Sequence, residues 1–205
     1  MDGNDENPWT RPVTLVGRHL RLEPLNAGHS DALREAAADG ELWRLWYTSV
    51  PRPADMEGYI ATALAGQAAG TDLPFVVRDA QDNVVGCTRY CHVEAANERL
   101  EIGYTWYAAR VQRTALNTEA KLLLLGHAFE SLSAIAVEFR TNWFNQSSRA
   151  AIERLGAKQD GVLRNAQRMP GGGFRDTVVF SIIESEWPAV RRHLQHQLDR
   201  GGAMR

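Results

Sequence analysis

The stretch from Leu100 to Leu163 constrains the fold of this chain more than any other part of it. It opens with LEIGYTWY (100–107), which reads as a strand. The polar loop AARVQRTALN (108–117) follows, then the strongly apolar helix TEAKLLLLGHAFESL (118–132). A second strand, AIAVEFRTNW (134–143), leads through Asn145-Gln-Ser-Ser148 into a helix that ends at Leu155-Gly156. Strand, helix, strand and helix in this order bring both helix starts near one edge of a sheet. A helix N-terminus offers unpaired N–H groups and a partial positive charge. A strand feeding a polar loop that opens a helix is therefore a place to hold phosphate groups.

The flanking segments supply the rest of a mixed sheet. VTLVGRHLRLEPL (13–25) alternates like a strand, and Ser30-Asp31 is placed to cap a helix running to Ala38. ELWRLWYTSVPRP (41–53) is aromatic-rich and ends in two prolines, which predicts a helix end and a loop. Residues 54–68 read as a helix. LPFVVRDA (73–80) and NVVGCTRYCHVE (83–94) read as strands joined at Gln81-Asp82. Residues 164–184 suggest a hairpin turning at Pro170-Gly171-Gly172-Gly173, and 186–200 a terminal amphipathic helix. The expected fold class is α+β: a mixed sheet of about seven strands with helices on both faces. One domain over 13–190 is expected, with a flexible leader (1–12) and a C-terminal helix end and tail (191–205).

Bulk properties exclude several classes. A net charge of −2 and a pI near 6.3 create no field that would draw the chain to nucleic acid or membrane. No apolar run approaches the ~20 residues of a membrane span. The first residues, MDGNDENPWTRP, are acidic and polar and lack a signal-peptide core, so a cytoplasmic location is expected. Cys87 and Cys91 give no disulfide framework. On one strand they stand ~13 Å apart, too far to share a zinc ion, so no metal is expected. His127, inside the apolar helix, reads as a bonded core residue.

The order of elements, with the strand 100–107, the loop after it and Asn145-x-x-Ser148, resembles the GNAT superfamily of acyl-CoA-dependent N-acetyltransferases, and within it the RimJ/RimL branch. The similarity runs from Val13 to Val190. The family's pyrophosphate loop, Gln/Arg-x-x-Gly-x-Gly/Ala, stands here as Gln112-Arg113-Thr114-Ala115-Leu116-Asn117, with both glycine positions replaced. The branch's Thr-Glu-Ala follows as Thr118-Glu119-Ala120, and Asn145 to Ser148 precedes a helix ending Leu155-Gly156.

The resemblance implies a GNAT-like, largely antiparallel sheet and acetyl-CoA as co-substrate. It places pyrophosphate on Gln112, Arg113, Thr114, Ala115, Leu116, Asn117 and Thr118, with Arg110 or Arg113 adding charge. It places the rest of the donor along Trp106 and Tyr107. Asn145 would bond the pantetheine arm, Ser148 would protonate the leaving thiolate, and a main-chain amide near Thr105 would stabilise the oxyanion. Glu101 is the candidate base. In the strand's alternation it lies with Gly103 and Thr105, opposite Leu100, Ile102, Tyr104 and Trp106. Trp43, Trp46, Tyr47 and Tyr104 would flank the acceptor. Read without the resemblance, Asn117 or Thr118 caps the first helix, Asn145 is a plain cap of the second, and Ser148 bonds a nearby backbone carbonyl. Glu101 is then a solvated strand glutamate or a partner for Arg89 across the strands, and the tryptophans are core.

The activity this implies is direct acetyl transfer, in a ternary complex, to a primary amine of a peptide N-terminus or a small amino-acid-like molecule. A non-catalytic acyl-CoA-binding module and transfer of a longer acyl group such as succinyl are the alternatives. The oligomeric state stays open, with a homodimer among the options.

Overall fold

The computed structural model describes residues 7–169 and 172–203. One sheet of eight strands organises them, in the order β1-β2-β3-β4-β5-β6-β8-β7. The strands are β1 (Leu15–Val16), β2 (Leu20–Pro24), β3 (Leu73–Asp79), β4 (Val84–Glu94), β5 (Arg99–Tyr107), β6 (Ala136–Asn142), β7 (Lys158–Arg168) and β8 (Phe174–Ile183). Every neighbouring pair is antiparallel except β5 and β6. The eighth strand arises because residues 13–25 fold back at Gly17 and form two short strands instead of one. The hairpin strand β7 also starts earlier than its sequence suggests, at Lys158. Residues 170–171 of its turn lie outside the described residues.

Five α-helices cover the sheet: α1 (Ser30–Ala38), α2 (Met56–Ala68), α3 (Ala115–Gly126), α4 (Gln146–Glu153) and α5 (Trp187–Ala203). Two apolar clusters, one on each face, hold the layers together. Leu33 and Ala37 of α1, with Met56 and Ile60 of α2, pack on Val76, Cys87 and Trp106. On the other face Leu116, Ala120 and Leu124 of α3, with Val190 and Leu194 of α5, pack on Phe75, Tyr90, Ile102, Val137 and Phe180. Trp9 and Leu194, in the segments read as leader and tail, are both buried in this second cluster.

Local chemistry explains where the helices begin. The chain enters α1 through a 3-10 turn capped by Asn26, whose side chain accepts the Gly28 N–H at 2.9 Å. The Ser30-Asp31 cap expected from the sequence is not used, because this turn moves the cap upstream. Helix α3 starts at Ala115, three residues before its sequence suggests. Its cap is Thr114, whose hydroxyl accepts the Leu116 N–H at 3.3 Å, and not Asn117 or Thr118. The apolar periodicity marks the body of this helix, while the polar first turn conceals its start. Past Gly126 the helix widens into a π turn, His127–Ser131. His127 Nδ1 lies 3.3 Å from the Tyr90 hydroxyl, which donates to the Leu124 carbonyl.

The feature that shapes the site is an irregularity in β5. Cys87 faces Trp106, but Arg89 faces Gly103, so β5 carries one extra residue between those rungs. Tyr104 takes it up with φ 52°, in the left-handed region. The extra residue reverses the alternation. Leu100 and Ile102 face α3 and α5, whereas Trp106 faces α1 and α2. The single apolar face expected for Leu100, Ile102, Tyr104 and Trp106 is therefore corrected: the bulge turns Trp106 to the opposite side and leaves Tyr104 exposed.

Across from the bulge, Gly86 of β4 pairs with Tyr107. A Cβ at Gly86 would stand 2.1 Å from the Trp106 carbonyl oxygen. Gly86→Ala is expected to destabilise the protein by about 1–3 kcal/mol or more, through that clash. Urea unfolding measures this, and a change under about 0.5 kcal/mol, the usual range for a neutral surface substitution, would show that the two strands give way freely.

Candidate active site

Strands β5 and β6 run side by side for only three rungs, Arg99 with Ala136, Leu100 with Val137 and Glu101 with Glu138. Beyond Glu101 the two part. β6 continues to Asn142 against β8, and β5 continues to Tyr107 against β4. A V-shaped cleft opens between them, and the bulge lies on its β5 wall. The edge of β5 facing the cleft has no ladder partner past Glu101, which leaves backbone groups free for a ligand. At the far end of β5 the chain passes through a 3-10 turn, Ala109–Val111, into the capped start of α3. At the far end of β6 it turns into α4.

The loop before α3 leads into a capped helix N-terminus. Its left-handed residue is Arg113 (φ 59°), while Ala115, at a replaced glycine position, is already helical and carries no such strain. Arg110 is engaged: Nη1 contacts Asp39 at 3.1 Å and Nη2 donates to the Val84 carbonyl. Arg113 is exposed, and no ion pair holds it among the described residues. Gln112 donates to the Tyr107 carbonyl at 2.9 Å and fixes the loop's entry. Glu119 turns the other way. It accepts the N–H groups of Arg18 at 2.8 Å and His19 at 2.6 Å, tying α3 to the β1–β2 turn. Trp106 and Tyr107 are both buried in the two core clusters, so only their backbone lines the cleft.

On the β6 wall, Asn145 caps α4 by accepting the Ser148 N–H at 3.0 Å. Ser148 is half-buried, while Ile152 and Leu155 behind it are buried. Phe144, just before the cap, is 60% exposed and packs on Trp46, itself 61% exposed, with ring centroids 5.4 Å apart. Tyr47 lies edge-on to Trp46 at 5.6 Å. Only Leu42–Arg44 form a helical turn, a 3-10 one, so Trp43 and Trp46 do not share a helix face. Trp46 is a surface residue and not core.

Glu101 is buried on the face covered by α1 and α2, and the fold gathers more around it than the sequence shows. His92 Nδ1 lies 2.8 Å from its carboxylate and Arg140 Nε 3.5 Å. The hydrogen bond to Glu101 raises the His92 pKa above its usual value. Arg89 is not the partner of Glu101. It stands opposite Gly103 and stacks on Tyr104, the guanidinium carbon 4.0 Å from the ring centroid. Cys91 Sγ, His92 and Glu101 come within 4.8 Å of one another. Strand spacing from Cys87 to Cys91 could not reveal this grouping, because Glu101 arrives from the neighbouring strand. The Arg140 guanidinium also supplies positive charge beside this trio, at Glu101.

Lys121 is the residue that sequence reading passed over. It lies on α3, beneath the cleft, and is 6% exposed. Its ammonium donates to Thr105 Oγ1 at 2.8 Å, and the Thr105 and Thr88 hydroxyls are 2.7 Å apart. Burial pushes its pKa down to about 7. The signal was a lysine set among the apolar positions of TEAKLLLL. Thr105 thus joins the bulge to a buried amine, in addition to any part its main chain plays.

A model of the GNAT acetyltransferase domain matches residues 19–158. The chain belongs to the GNAT family and is an acyltransferase. A GCN5-related N-acetyltransferase from Brucella melitensis is 31% identical, with 93% of this chain and 87% of that one covered at a TM-score of 0.82. YdaF of Bacillus subtilis, whose name assigns it provisionally to ribosomal N-acetylation, is 31% identical over 47% of this chain; the match spans 51% of YdaF. RimJ of Mycobacterium smegmatis, solved with a CoA disulfide, shares the fold at a TM-score of 0.76 and 20% identity, with 92% and 96% covered. Among the described residues no helix is long and apolar enough to cross a membrane.

Lys121 gives stability a pH dependence of known sign. Between about pH 7 and 10.5 the unfolded chain holds a proton on this amine that the folded protein has lost. Stability therefore rises with pH across that window, and the burial cost is largest below pH 7. Lys121→Met is expected to raise the melting temperature by several degrees at pH 6, with the gain shrinking toward pH 10. A gain independent of pH would contradict a lowered pKa.

Proposed function

We propose that this protein transfers an acetyl group from acetyl-CoA to a primary amine, by direct attack within a ternary complex. The observation that carries the reading is the cleft where β5 and β6 part, with the Tyr104 bulge on one wall, the Asn145 cap on the other and the capped start of α3 at its end. In this reading pyrophosphate rests on the N–H groups of the loop 112–118 and on Arg113, which holds no ion pair among the described residues. Pantetheine runs along the unpaired edge of β5, with Asn145 across from it.

The acceptor comes from the face of α1 and α2, past Tyr104 and the Trp46–Phe144 pair. Glu101, held by His92 and Arg140, takes the proton from the attacking amine. A main-chain N–H freed by the bulge, near Thr105, stabilises the oxyanion, a contribution of roughly 3 kcal/mol for one preorganised donor. Ser148 returns a proton to the departing thiolate. The acceptor is a peptide N-terminus or a small amino-acid-like amine. The aromatic wall suits such a ligand better than a polycation, which would require more acids than the single Glu41 of residues 41–53.

Release of free thiol from acetyl-CoA, screened against amines and short peptides, tests the activity. Turnover with at least one amine is expected. Acetyl-CoA binding without thiol release from any acceptor would make the protein a binding module. Arg113→Glu is expected to weaken acetyl-CoA at least tenfold and leave a pantetheine thioester lacking the nucleotide unaffected, both measured by calorimetry. Equal loss for both would remove pyrophosphate from this loop.

Two substitutions separate the proton-transfer roles. Ser148→Ala is expected to lower kcat by about 10²-fold with acetyl-CoA affinity unchanged; a kcat within about twofold of wild type would return Ser148 to a helix-cap position. Glu101→Gln is expected to abolish the acidic limb of the kcat/KM profile. An unchanged limb would assign the base elsewhere.

A further inference from the structure

A buried charge without a counterion is costly, and folded proteins pair nearly all of them. Arg89 is an exception in this structure. It is 4% exposed, the most buried of the chain's described arginines. Its guanidinium lies over Tyr104 at 4.0 Å and 5.2 Å from the Tyr59 ring centroid. No carboxylate forms an ion pair with it among the described residues. Asp72 is near enough to be influenced by Arg89 and is not bonded to it. By contrast Arg21, Arg34, Arg78, Arg99, Arg110 and Arg140 each hold an acid.

A second guanidinium on the same side is also incompletely satisfied. Arg175 of β8 has its Nε buried without a partner, and it senses both Glu101 and Tyr104. It belongs to the acceptor face by register. β8 pairs Val179 with Arg140 and Thr177 with Asn142, so Arg175 continues the row of side chains that includes Arg140. The acceptor face therefore carries a carboxylate suited to an amine, Glu101, and two guanidiniums suited to an anion.

We infer that the acceptor is an α-amino-acid-like zwitterion, whose carboxylate is bound by Arg89 with Arg175 while its amine meets Glu101. This rests on the transferase reading above and narrows it. A guanidinium stacked between aromatic rings keeps its edge free for a bidentate bond to a carboxylate, a geometry that lysine cannot supply. An internal peptide bond offers no such anion next to the amine, so an ordinary peptide N-terminus leaves Arg89 unpaired. Tyr104 lies over Arg89 at the left-handed position of the bulge, which brings the anion site and the acyl-transfer cleft together on one residue.

The test is calorimetric binding of the L-amino acids, and of their carboxamides, to the protein saturated with CoA. At least one acid is expected to bind about tenfold or more tightly than its carboxamide. Arg89→Gln should weaken that acid about 30-fold or more, the usual consequence of removing one partner of a buried charge pair, and change the carboxamide less than about threefold. Arg89→Lys, which keeps the charge and loses the fork, should fall between. Acids and carboxamides that bind alike in the wild type would overturn the proposal, as would equal losses for both in Arg89→Gln. Thiol release from acetyl-CoA is read separately. A protein that prefers acids but never releases thiol keeps this site and loses the transferase reading. One that acetylates acids and carboxamides with equal KM keeps the transferase reading and loses this site.

Discussion

One extra residue in β5 sets the geometry of everything near the cleft. Had Gly103, Tyr104 and Thr105 paired regularly with β4, Trp106 would have pointed toward α3 and Tyr104 would have been core. The bulge turns Trp106 into the α1–α2 cluster, where its indole donates to the Tyr59 hydroxyl at 3.4 Å. It also presents Tyr104 and the main chain beside it to the cleft. The left-handed conformation of a non-glycine residue costs of order 1–3 kcal/mol and persists because the surroundings over-determine it. Arg89 stacks on Tyr104 from one side, and Thr105 is held by Lys121 and Thr88 on the other. A strand held this way keeps the backbone groups on its cleft side in a fixed conformation.

The two faces of the sheet divide the chemistry. Charge is concentrated on the side of α1 and α2, where Glu101, His92, Arg140, Arg89 and Arg175 gather around the end of the cleft. On the side of α3 the buried amine of Lys121 lies near the cleft at lowered pKa, with the phenol of Tyr90 and the imidazole of His127 behind it. In the proposed function, the substrate atoms that gain and lose charge in the acyl transfer meet between these two environments, one rich in fixed charges and one mostly apolar. Low-dielectric surroundings strengthen each fixed dipole aimed at that point.

Much of this could be read from the sequence, and the misses have definable causes. The strand–loop–helix repeats of residues 100–155 were legible because apolar periodicity survives any sheet arrangement. The reversal at Tyr104 was not, because a bulge is a relation between two strands. The start of α3 was read late because the polar residues of its first turn look like loop. Asn145 was legible as a cap from its position alone. The clustering of His92, Cys91 and Arg140 about Glu101 was out of reach, because it depends on which strands are neighbours. Lys121 was visible as an oddity in an apolar run, but its burial and its bond to Thr105 follow from how α3 lies across β5.

In the proposed function, acetyl-CoA occupies the cleft between β5 and β6 and rests its phosphates on the loop before α3. Hydrogen–deuterium exchange with and without acetyl-CoA tests it directly. Slowed exchange is expected at residues 102–107, where β5 has no ladder partner on its cleft side, and at 113–118, with little change in β1, β7 and α5. Protection confined to another surface, or none at saturating acetyl-CoA, would contradict it.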